Sequence, residues 1–377
     1  MKKKSDYIIV MFFLIFIYGI AFANIFTKDR SYSEAEKRML AQKPEFRVAD
    51  IVSGKYMEDF ETYITDQFVA RDLFVDVKSV SEKALGKRIN NGVYYGKDGY
   101  LIEQFASVDE ELLKKNVVAV QKFAENTSAN VSLAIIPGSV EINREKLSGA
   151  LPDIDQKELI DKIYDDMSGS NITCVDMYSS LWEHREENLY YRTDHHWTSL
   201  GAYYGYRAYA EAVGLVPTEL EAYKEQVRSE EFYGTLYSKA GAFWIAPDSI
   251  STYVDEEGIV VEHIEGETTK TGTLYDMSKL SGSDKYSMFL GGNQPLAIIK
   301  NSQNNQSKLL VIRDSYSDSL APFLTGHYSE IYMWDFRYNK ESVSTFIEEN
   351  DIEQVLICYS MDNFSEDTNI SFVLGRE

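Results

Sequence analysis

The stretch Leu309-Leu310-Val311-Ile312-Arg313-Asp314-Ser315-Tyr316 joins a continuous apolar run to a short polar cluster. Four apolar residues in succession are typical of a strand that is buried on both faces of a parallel sheet. The pattern predicts a helix directly after it, from Tyr316 to Leu324. Because open α/β sheets gather ligand groups at the carboxyl ends of their strands, this turn should expose Ser315 to a cleft. Ser315 is the candidate nucleophile, with an ordinary helix cap as the alternative role, and Ser317 and Ser319 are weaker candidates further into the helix.

Further apolar runs alternate with helical patterns around this stretch, which indicates an α/β fold. Continuous apolar runs separated by helices predict a parallel sheet covered by helices on both faces. Residues about 90–377 are therefore predicted to form one three-layer α/β/α sandwich. Residues 215–305 break the alternation with glycines and short β-like pieces, and predict a β-rich insertion or cap beside the site. The other predicted strands are Val131–Ile136, Ile172–Val175, Ile331–Trp334 and Val355–Cys358, and the helices are 107–125, 156–168, 199–213 and 340–350.

An uncharged, almost wholly apolar run extends from Tyr7 to Phe26, after three consecutive lysines. About twenty helical residues rise roughly 30 Å, enough to cross the hydrocarbon core of a bilayer. Because signal peptides usually have a shorter apolar stretch, residues 1–27 are predicted to be a cytoplasmic stub and an uncleaved anchor. The alternative is a secreted chain, since Ala21-Phe22-Ala23 offers a cleavage pattern after Ala23. The basic flank should stay inside, which makes residues 28–89 an extracytoplasmic tether or helical region.

Composition argues against one class of partner and favours free thiols over a disulfide. The net charge of −22 argues strongly against a nucleic-acid binder, because phosphate binding needs a basic surface. The two cysteines, Cys174 and Cys358, lie far apart within apolar segments. They are predicted to be buried free thiols and not a disulfide.

A second polar cluster, Thr193-Asp194-His195-His196-Trp197, supplies the groups that a serine nucleophile lacks. A serine hydroxyl needs a base to remove its proton, and an imidazole base needs a carboxylate to fix its tautomer. His196 is predicted to be this base and Asp194 its orienting carboxylate, with His195 in a structural role. Trp197 is predicted to shield the pair, and it is also a substrate-binding candidate that could stack on a sugar, with simple packing as the alternative. Neighbouring side chains in an extended stretch point in opposite directions, so no metal site is assigned to the two histidines. Acyl transfer or ester hydrolysis is the leading hypothesis.

Together these clusters and three further segments resemble the DHHW family, relatives of the alginate O-acetyltransferases with a permuted SGNH-hydrolase fold. The resemblance implies a Ser315–His196–Asp194 triad, with the Asp-x-His pair before the serine in the chain. It also implies an acetyl-serine intermediate and no soluble cofactor. The matching segments are Gly96–Leu101, Tyr190–Trp197, Gly291–Asn293, Arg313–Tyr316 and Asp335–Tyr338.

The resemblance further implies that Arg337 is a site arginine and that Tyr359 is a site tyrosine. Arg337 could stabilise an oxyanion or hold a carboxylated sugar, and a surface salt bridge is the alternative. Asn293 could supply an amide to the cleft, or could simply be a turn residue. Two departures leave the oxyanion hole unassigned: Arg313 replaces the usual glycine before Asp-Ser, and Met361-Asp362-Asn363 is only a loose echo of the Gly-x-Asn-Asp block.

These observations predict an extracytoplasmic O-acetyltransferase or acetylesterase that acts on a cell-surface or secreted polysaccharide. The resemblance implies that a multi-pass membrane partner delivers the acetyl group, since one apolar helix is too little to move an acetyl donor across a membrane. The alternative is a non-catalytic polysaccharide-binding or assembly protein of the cell envelope. A metal-dependent phosphoesterase, which also uses an Asp-His-His motif, is disfavoured because its further aspartate motifs near the amino terminus are missing from this sequence.

Overall fold

The computed structural model describes residues 2–33, 38–147, 149, 154–304 and 307–377, with side chains from residue 7 onward. The chain divides into two compact units. The first contains Met1–Lys87 and Ser238–Trp244, and the second contains Arg88–Tyr237 and Ile245–Glu377.

The first unit contains the apolar helix α1 (Lys2–Phe26), in which Tyr7–Phe26 is long and apolar enough to cross a membrane. By length and composition this helix fits a single-pass membrane anchor or a signal sequence. Asp66 is buried and accepts hydrogen bonds from both terminal nitrogens of Arg38. The unit also contains the antiparallel pair β1 (Tyr32–Ser33) and β2 (Arg38–Met39), and the helices α2 (Val48–Val52), α3 (Lys55–Asp66) and α4 (Arg71–Ala84).

After residue 87 the chain alternates strands and helices, as the apolar pattern predicts. The strands are β3 (Ile89–Asn90), β4 (Val93–Tyr95), β5 (Leu101–Glu103), β6 (Asn130–Ile136), β7 (Ile172–Val175), β8 (Gln226–Phe232), β9 (Asp248–Thr252), β10 (Ile259–Glu265), β11 (Thr268–Gly272), β12 (Leu296–Asn301), β13 (Lys308–Arg313), β14 (Glu330–Trp334) and β15 (Gln354–Ser360). The α-helices are α5 (Glu110–Asn126), α6 (Ser139–Ile142), α7 (Gln156–Asp166), α8 (Met177–Glu183), α9 (Ser199–Ala212), α10 (Thr235–Ala240), α11 (Ser317–Leu324), α12 (Val343–Glu349), α13 (Met361–Glu366) and α14 (Thr368–Leu374). Short 3₁₀ turns include Tyr286–Met288.

The second unit is built on an eight-stranded, mostly parallel sheet in the order β11-β10-β12-β14-β13-β15-β6-β7. The neighbours from β14 to β7 pair in parallel. In contrast, β12 is antiparallel to β14, and β10 is antiparallel to both β12 and β11. The fold is therefore mixed α/β. The three antiparallel strands come from the predicted insertion at 215–305, so this segment extends the main sheet as well as adding the separate pair β8–β9.

The strands in the middle of the sheet are covered on both faces. Leu309 and Val311 of β13 pack into one apolar cluster with residues of α8, α9 and α11. Leu310 and Ile312 of the same strand pack into a second cluster with residues of α5, α7, α12 and α14. This two-sided burial explains the unbroken apolar run at 309–312, because both faces of the strand lie against helices. Cys174 and Cys358 are both free thiols, with Cys358 buried, and burial raises the pKa of the Cys174 thiol to about 11.

Candidate active site

The hydroxyl of Ser315, the imidazole of His196 and the carboxylate of Asp194 form one continuous chain of hydrogen bonds. The Nε2 atom of His196 lies 2.8 Å from the Ser315 Oγ atom, and its Nδ1 atom lies 2.6 Å from Oδ1 of Asp194. His196 and Asp194 are buried, whereas Ser315 is partly exposed. With the ring proton on Nδ1, Nε2 is free to accept the serine proton. The arrangement can therefore raise the nucleophilicity of a hydroxyl that substrate can reach.

The Asp194 carboxylate is held by hydrogen bonds to both of its oxygens. Oδ1 accepts from the backbone N–H of His196 at 3.0 Å, in addition to the ring. Oδ2 accepts from the backbone N–H of Thr235 at 2.7 Å and from its hydroxyl at 3.1 Å. A Cβ atom at Gly234 would overlap the Cα and Cβ atoms of Asp194, so only glycine allows this close approach. Asp194 is therefore fixed from two directions.

Burial and neighbouring charge set the protonation states of this pair. Burial lowers the pKa of the His196 imidazole below its usual value near 6.5, the charge of His195 lowers it further, and Asp194 opposes both effects. For Asp194, burial opposes ionisation, but the charges of His195 and His196 and the hydrogen bonds hold its pKa well below the usual range. At neutral pH the site therefore contains a neutral imidazole beside an ionised carboxylate, as a general base requires.

Asp314 ties the nucleophile turn to the end of β15. One carboxylate oxygen accepts from the backbone N–H of Tyr316 at 3.0 Å. The other accepts from the backbone N–H and the hydroxyl of Ser360, both at 2.8 Å, and from the side-chain amide of Asn363 at 2.8 Å. Asn363, from the segment Met361-Asp362-Asn363, therefore holds the nucleophile turn through its side-chain amide. The backbone N–H of Ser315 has no acceptor among the residues that the structure describes.

Trp197 is completely buried and connects the two polar clusters through hydrogen bonds. Its indole N–H lies 2.9 Å from both the backbone carbonyl of Tyr316 and the hydroxyl of Ser319. The sequence placed Trp197 among the substrate-binding candidates, but a side chain with no exposed surface cannot contact substrate in this conformation. An antiparallel bridge between Tyr190 and Trp197 closes residues 190–197 into a hairpin, the catalytic hairpin. The contacts of Trp197 hold this hairpin against the turn that carries Ser315.

The other predicted site residues make no hydrogen bond to Ser315, His196 or Asp194 in the described part of the chain. The guanidinium of Arg337 donates to the carboxylate of Asp335 through Nε at 2.9 Å and Nη2 at 2.6 Å. Asn293 accepts from Arg337 at 3.0 Å and from Arg313 at 3.3 Å. Tyr359 is buried, and its hydroxyl has no hydrogen-bond partner in the described part of the chain. Arg337 and Asn293 therefore belong to an ion-pair cluster beside β14.

The centre of this ion-pair cluster is Arg313, which stands where the resemblance expects glycine. Arg313 is fully buried, and its Nη1 atom lies 2.9 Å from Oδ1 of Asp318 and 3.8 Å from Oδ2 of Asp335. Burial raises the pKa of Asp318 to about 7 against the opposing charge of Arg313. Because Arg313 lies two residues before Ser315 and Asp318 lies three residues after it, their ion pair joins the two ends of the nucleophile turn.

Tyr286 is the site residue that the sequence did not reveal. Its ring stacks on the imidazole of His196, with ring centroids 3.8 Å apart and an interplanar angle of 9°. Its hydroxyl donates to the backbone carbonyl of Ser315 at 3.1 Å and lies 3.0 Å from the Ser319 hydroxyl. One tyrosine among 27, in a segment with no regular period, carried no signal of this role. The contact shows that the segment 215–305 contributes to the site.

Asp194, His195 and His196 also lie close enough together to hold a metal ion, with candidate ligand atoms within 4.8 Å of one another. Both ring nitrogens of His196 are already engaged, by Asp194 and by Ser315. The Nδ1 atom of His195 lies 2.8 Å from the Thr235 hydroxyl. An ion at this position would have to replace those hydrogen bonds, so the geometry fits proton transfer to His196 better than metal ligation.

Comparison with known proteins agrees with the architecture of the second unit. Residues 92–334 match the family described as DHHW protein. Among curated proteins, the chain is similar to the probable alginate O-acetylase AlgJ of Pseudomonas putida, with 25% identity over 171 residues. This match covers 43% of the present chain and 44% of AlgJ, so the chain spans less than half the length of that relative.

Two solved structures share the fold. A DHHW family protein from Eubacterium siraeum superimposes with a TM-score of 0.61 and 24% identity, over 77% of this chain and 96% of that protein. The structure of Bacillus cereus PatB1 with a sulfonyl adduct superimposes with a TM-score of 0.62 and 16% identity, over 74% and 97% of the two chains.

Proposed function

The chain belongs to the DHHW protein family, and from that premise we propose that it is a serine-dependent O-acetyltransferase or acetylesterase of polysaccharide. The observation that carries the proposal is the hydrogen-bonded series from Asp194 through His196 to the partly exposed Ser315. The probable alginate O-acetylase AlgJ, to which the chain is similar, supports acetyl chemistry on a glycan.

In the proposed reaction, the Ser315 oxygen attacks the acetyl carbonyl while its proton passes to Nε2 of His196. The bond from the acetyl carbon to the donor oxygen then breaks, and the proton moves from His196 to that leaving oxygen. The product of this half-reaction is acetyl-Ser315. A sugar hydroxyl next attacks the acetyl carbon and gives its proton to Nε2 of His196. The bond from the acetyl carbon to the Ser315 oxygen then breaks, and His196 returns the proton to that oxygen, which leaves an acetylated sugar and free Ser315. Water in place of the sugar would give hydrolysis.

The chain's own groups stabilise the charges that develop in these steps. Asp194, ionised and buried, stabilises the imidazolium of His196 and keeps its ring in the productive tautomer. The backbone N–H of Ser315, without another acceptor, is the proposed donor to the acetyl oxyanion. The exposed Arg337 and Asn293 and the buried Tyr359 remain proposed contributors to this hole or to sugar binding.

The sheet order and the apolar helix support the proposed fold class and the proposed location at a membrane. The run β14-β13-β15-β6-β7, with Ser315 after β13, is consistent with a permuted SGNH-hydrolase-like sandwich for residues 90–377. The helix α1 is proposed to anchor the chain, leaving residues from 28 onward outside the cytoplasm, unless cleavage after Ala23 releases them. A multi-pass membrane partner is proposed to deliver the acetyl group.

The proposal is tested on the full chain in detergent with p-nitrophenyl acetate and, separately, with phenylmethylsulfonyl fluoride. Intact mass spectrometry is expected to show an acetyl or sulfonyl adduct on the wild type and none on Ser315→Ala. Because no metal takes part in the proposed steps, a chelator should leave the adduct unchanged. Chelator-sensitive turnover that survives Ser315→Ala would contradict the triad, and a chain that forms no adduct would favour the polysaccharide-binding alternative.

A further inference from the structure

A cleft of about 770 Å³ opens in the second unit, and residues 190–192 of the hairpin that carries Asp194 and His196 form part of its lining. Its volume lies within the range of about 300–1,000 Å³ that is typical of ligand sites. Ser315 and His196 are not among its lining residues, so the cleft is distinct from the triad. The residues that matter below are Tyr100, Lys146, Asn188, Arg192, Asp248 and Tyr253.

Arg192 is held in one orientation at the wall of this cleft. Its Nε atom donates to Oδ1 of Asp248 at 3.1 Å, and its Nη2 atom donates to the carbonyl of Pro247 at 2.6 Å. Asp248 is fixed in turn by the backbone N–H of Thr193 at 2.8 Å and its hydroxyl at 2.6 Å. The Nη1 atom has no hydrogen-bond partner in the described part of the chain. A guanidinium fixed in this way presents a free donor with little entropy left to lose.

Opposite groups add further donors and an aromatic wall. The side-chain oxygen of Asn188 accepts from the Tyr100 hydroxyl at 3.4 Å, which leaves its amide N–H groups available. The Lys146 ammonium lies 4.7 Å from the centre of the Tyr100 ring. Tyr253 is half-buried and also lines the cleft. Planar hydrogen-bonding side chains beside aromatic rings suit a sugar, which has hydroxyls at its edge and C–H groups on its faces.

The charges around the cleft select among sugars. Arg192 is paired with Asp248, and Lys146 lies 3.6 Å from Asp98. Glu187 and Glu225 also line the cleft, so acidic groups outnumber basic ones there, on a chain of net charge −22. Such a field disfavours a polyuronate and favours an uncharged glycan. An uncharged glycan would be a different ligand from the alginate in the name of the AlgJ relative.

We propose that this cleft binds an uncharged segment of the polysaccharide that the triad modifies, and so holds the glycan chain beside the catalytic hairpin. The inference rests on the proposed function for its ligand class. Its link to the triad is structural: Tyr191 lines the cleft and meets Tyr286 edge-on, with ring centroids 6.4 Å apart, and Tyr286 stacks on His196. The hydroxyl of Tyr191 is buried and has no partner among the described residues.

Binding is measured directly on full-length Ser315→Ala in detergent, by saturation-transfer NMR and calorimetry. The probes are cellotetraose and tetra-N-acetylchitotetraose, which are uncharged, and tetragalacturonate, which is anionic. Saturable binding of at least one uncharged tetrasaccharide is expected, with tetragalacturonate weaker by about tenfold or more. Failure of both uncharged probes, or tighter binding of tetragalacturonate, would overturn the proposal.

The position of the bound probe is checked by a matched pair at Ser249, an exposed residue that lines the cleft. Ser249→Trp should fill the cleft and weaken binding by about tenfold or more, whereas Ser249→Ala should bind like the parent. Equal binding by both variants, with unchanged thermal unfolding, would place the sugar elsewhere. The adduct experiment on the wild type contains no sugar and the binding experiment contains no nucleophile, so failure of one leaves the other to be read on its own.

Discussion

Replacing Asp194 by asparagine removes the charge at the end of the triad while keeping its size. The carboxylate accepts from His196 through the ring and the backbone, and from Thr235 through the backbone and the hydroxyl. An asparagine has one acceptor oxygen, so its NH₂ group must face either the His196 ring or the backbone N–H of Thr235. The first orientation forces the proton onto Nε2 of His196, which then cannot accept from Ser315. Both orientations also place the NH₂ group against a backbone N–H, that of His196 in the first and that of Thr235 in the second, so two donors face each other in a buried site.

The magnitude follows from these two orientations. The wrong tautomer costs about 10³–10⁴ in the rate of acylation, or about 4–5.5 kcal/mol of transition-state stabilisation. A buried donor without an acceptor costs about 1–3 kcal/mol of folding free energy. We therefore expect Asp194→Asn to fold with reduced stability and to acylate at least about a thousandfold more slowly.

The assay is the burst of p-nitrophenolate from p-nitrophenyl acetate, followed by stopped flow, with chemical denaturation on the same samples. Asp176→Asn is the matched control, because Asp176 is exposed and its carboxylate only caps α8 through the N–H of Ser179. That control should keep the wild-type burst. A folded Asp194→Asn variant whose burst rate lies within about tenfold of the wild type would refute the reasoning about the tautomer.

Three further predictions concern the surroundings of the triad. Acylation needs neutral His196, so the burst rate measured against pH should rise through a midpoint below 6.5 and level off above it. His195→Ala removes a charge that lowers the pKa of His196, so this variant should have a higher midpoint. Tyr286→Phe keeps the stacked ring but loses the hydroxyl contacts, so it should slow the burst by about threefold, whereas Tyr286→Leu also loses the ring and should slow it by about tenfold or more. Wild-type burst rates in both variants would show that Tyr286 takes no part in the mechanism. Gly234→Ala should lower the free energy of unfolding by about 1–3 kcal/mol in urea, whereas Gly326→Ala, where a Cβ meets open space, should not change it.

The elements with a strong local pattern were predictable. The apolar run at 309–312 indicated a central strand because both of its faces are covered by helices, and it is β13 in the structure. The antiparallel strands β10, β11 and β12 were not foreseen as part of the same sheet. They join the parallel run through backbone hydrogen bonds between β12 and β14, and the apolar pattern of a strand does not indicate which strand it pairs with.

The site was predictable where its residues are adjacent in the chain. Asp194 and His196 lie two residues apart, and their types alone indicate a base with its orienting carboxylate. Tyr286 could not be found this way, because it reaches His196 only when the sheet and the segment 215–305 are folded. For Arg337 the sequence left two roles open, a site arginine or a surface salt bridge. In the structure its guanidinium donates to Asp335, two residues earlier, and the choice between such partners depends on side-chain geometry.

The placement of the triad on the sheet has a consequence for how the protein matures. Ser315 follows β13, while Asp194 and His196 come after β7, with β15 and β6 between those two strands. During synthesis His196 emerges well before Ser315, and the hydroxyl is no more reactive than that of any free serine until these strands have come together. Ester cleavage should therefore appear only when β13, β15, β6 and β7 have paired. The burst amplitude then counts native molecules in a refolding experiment without any added label.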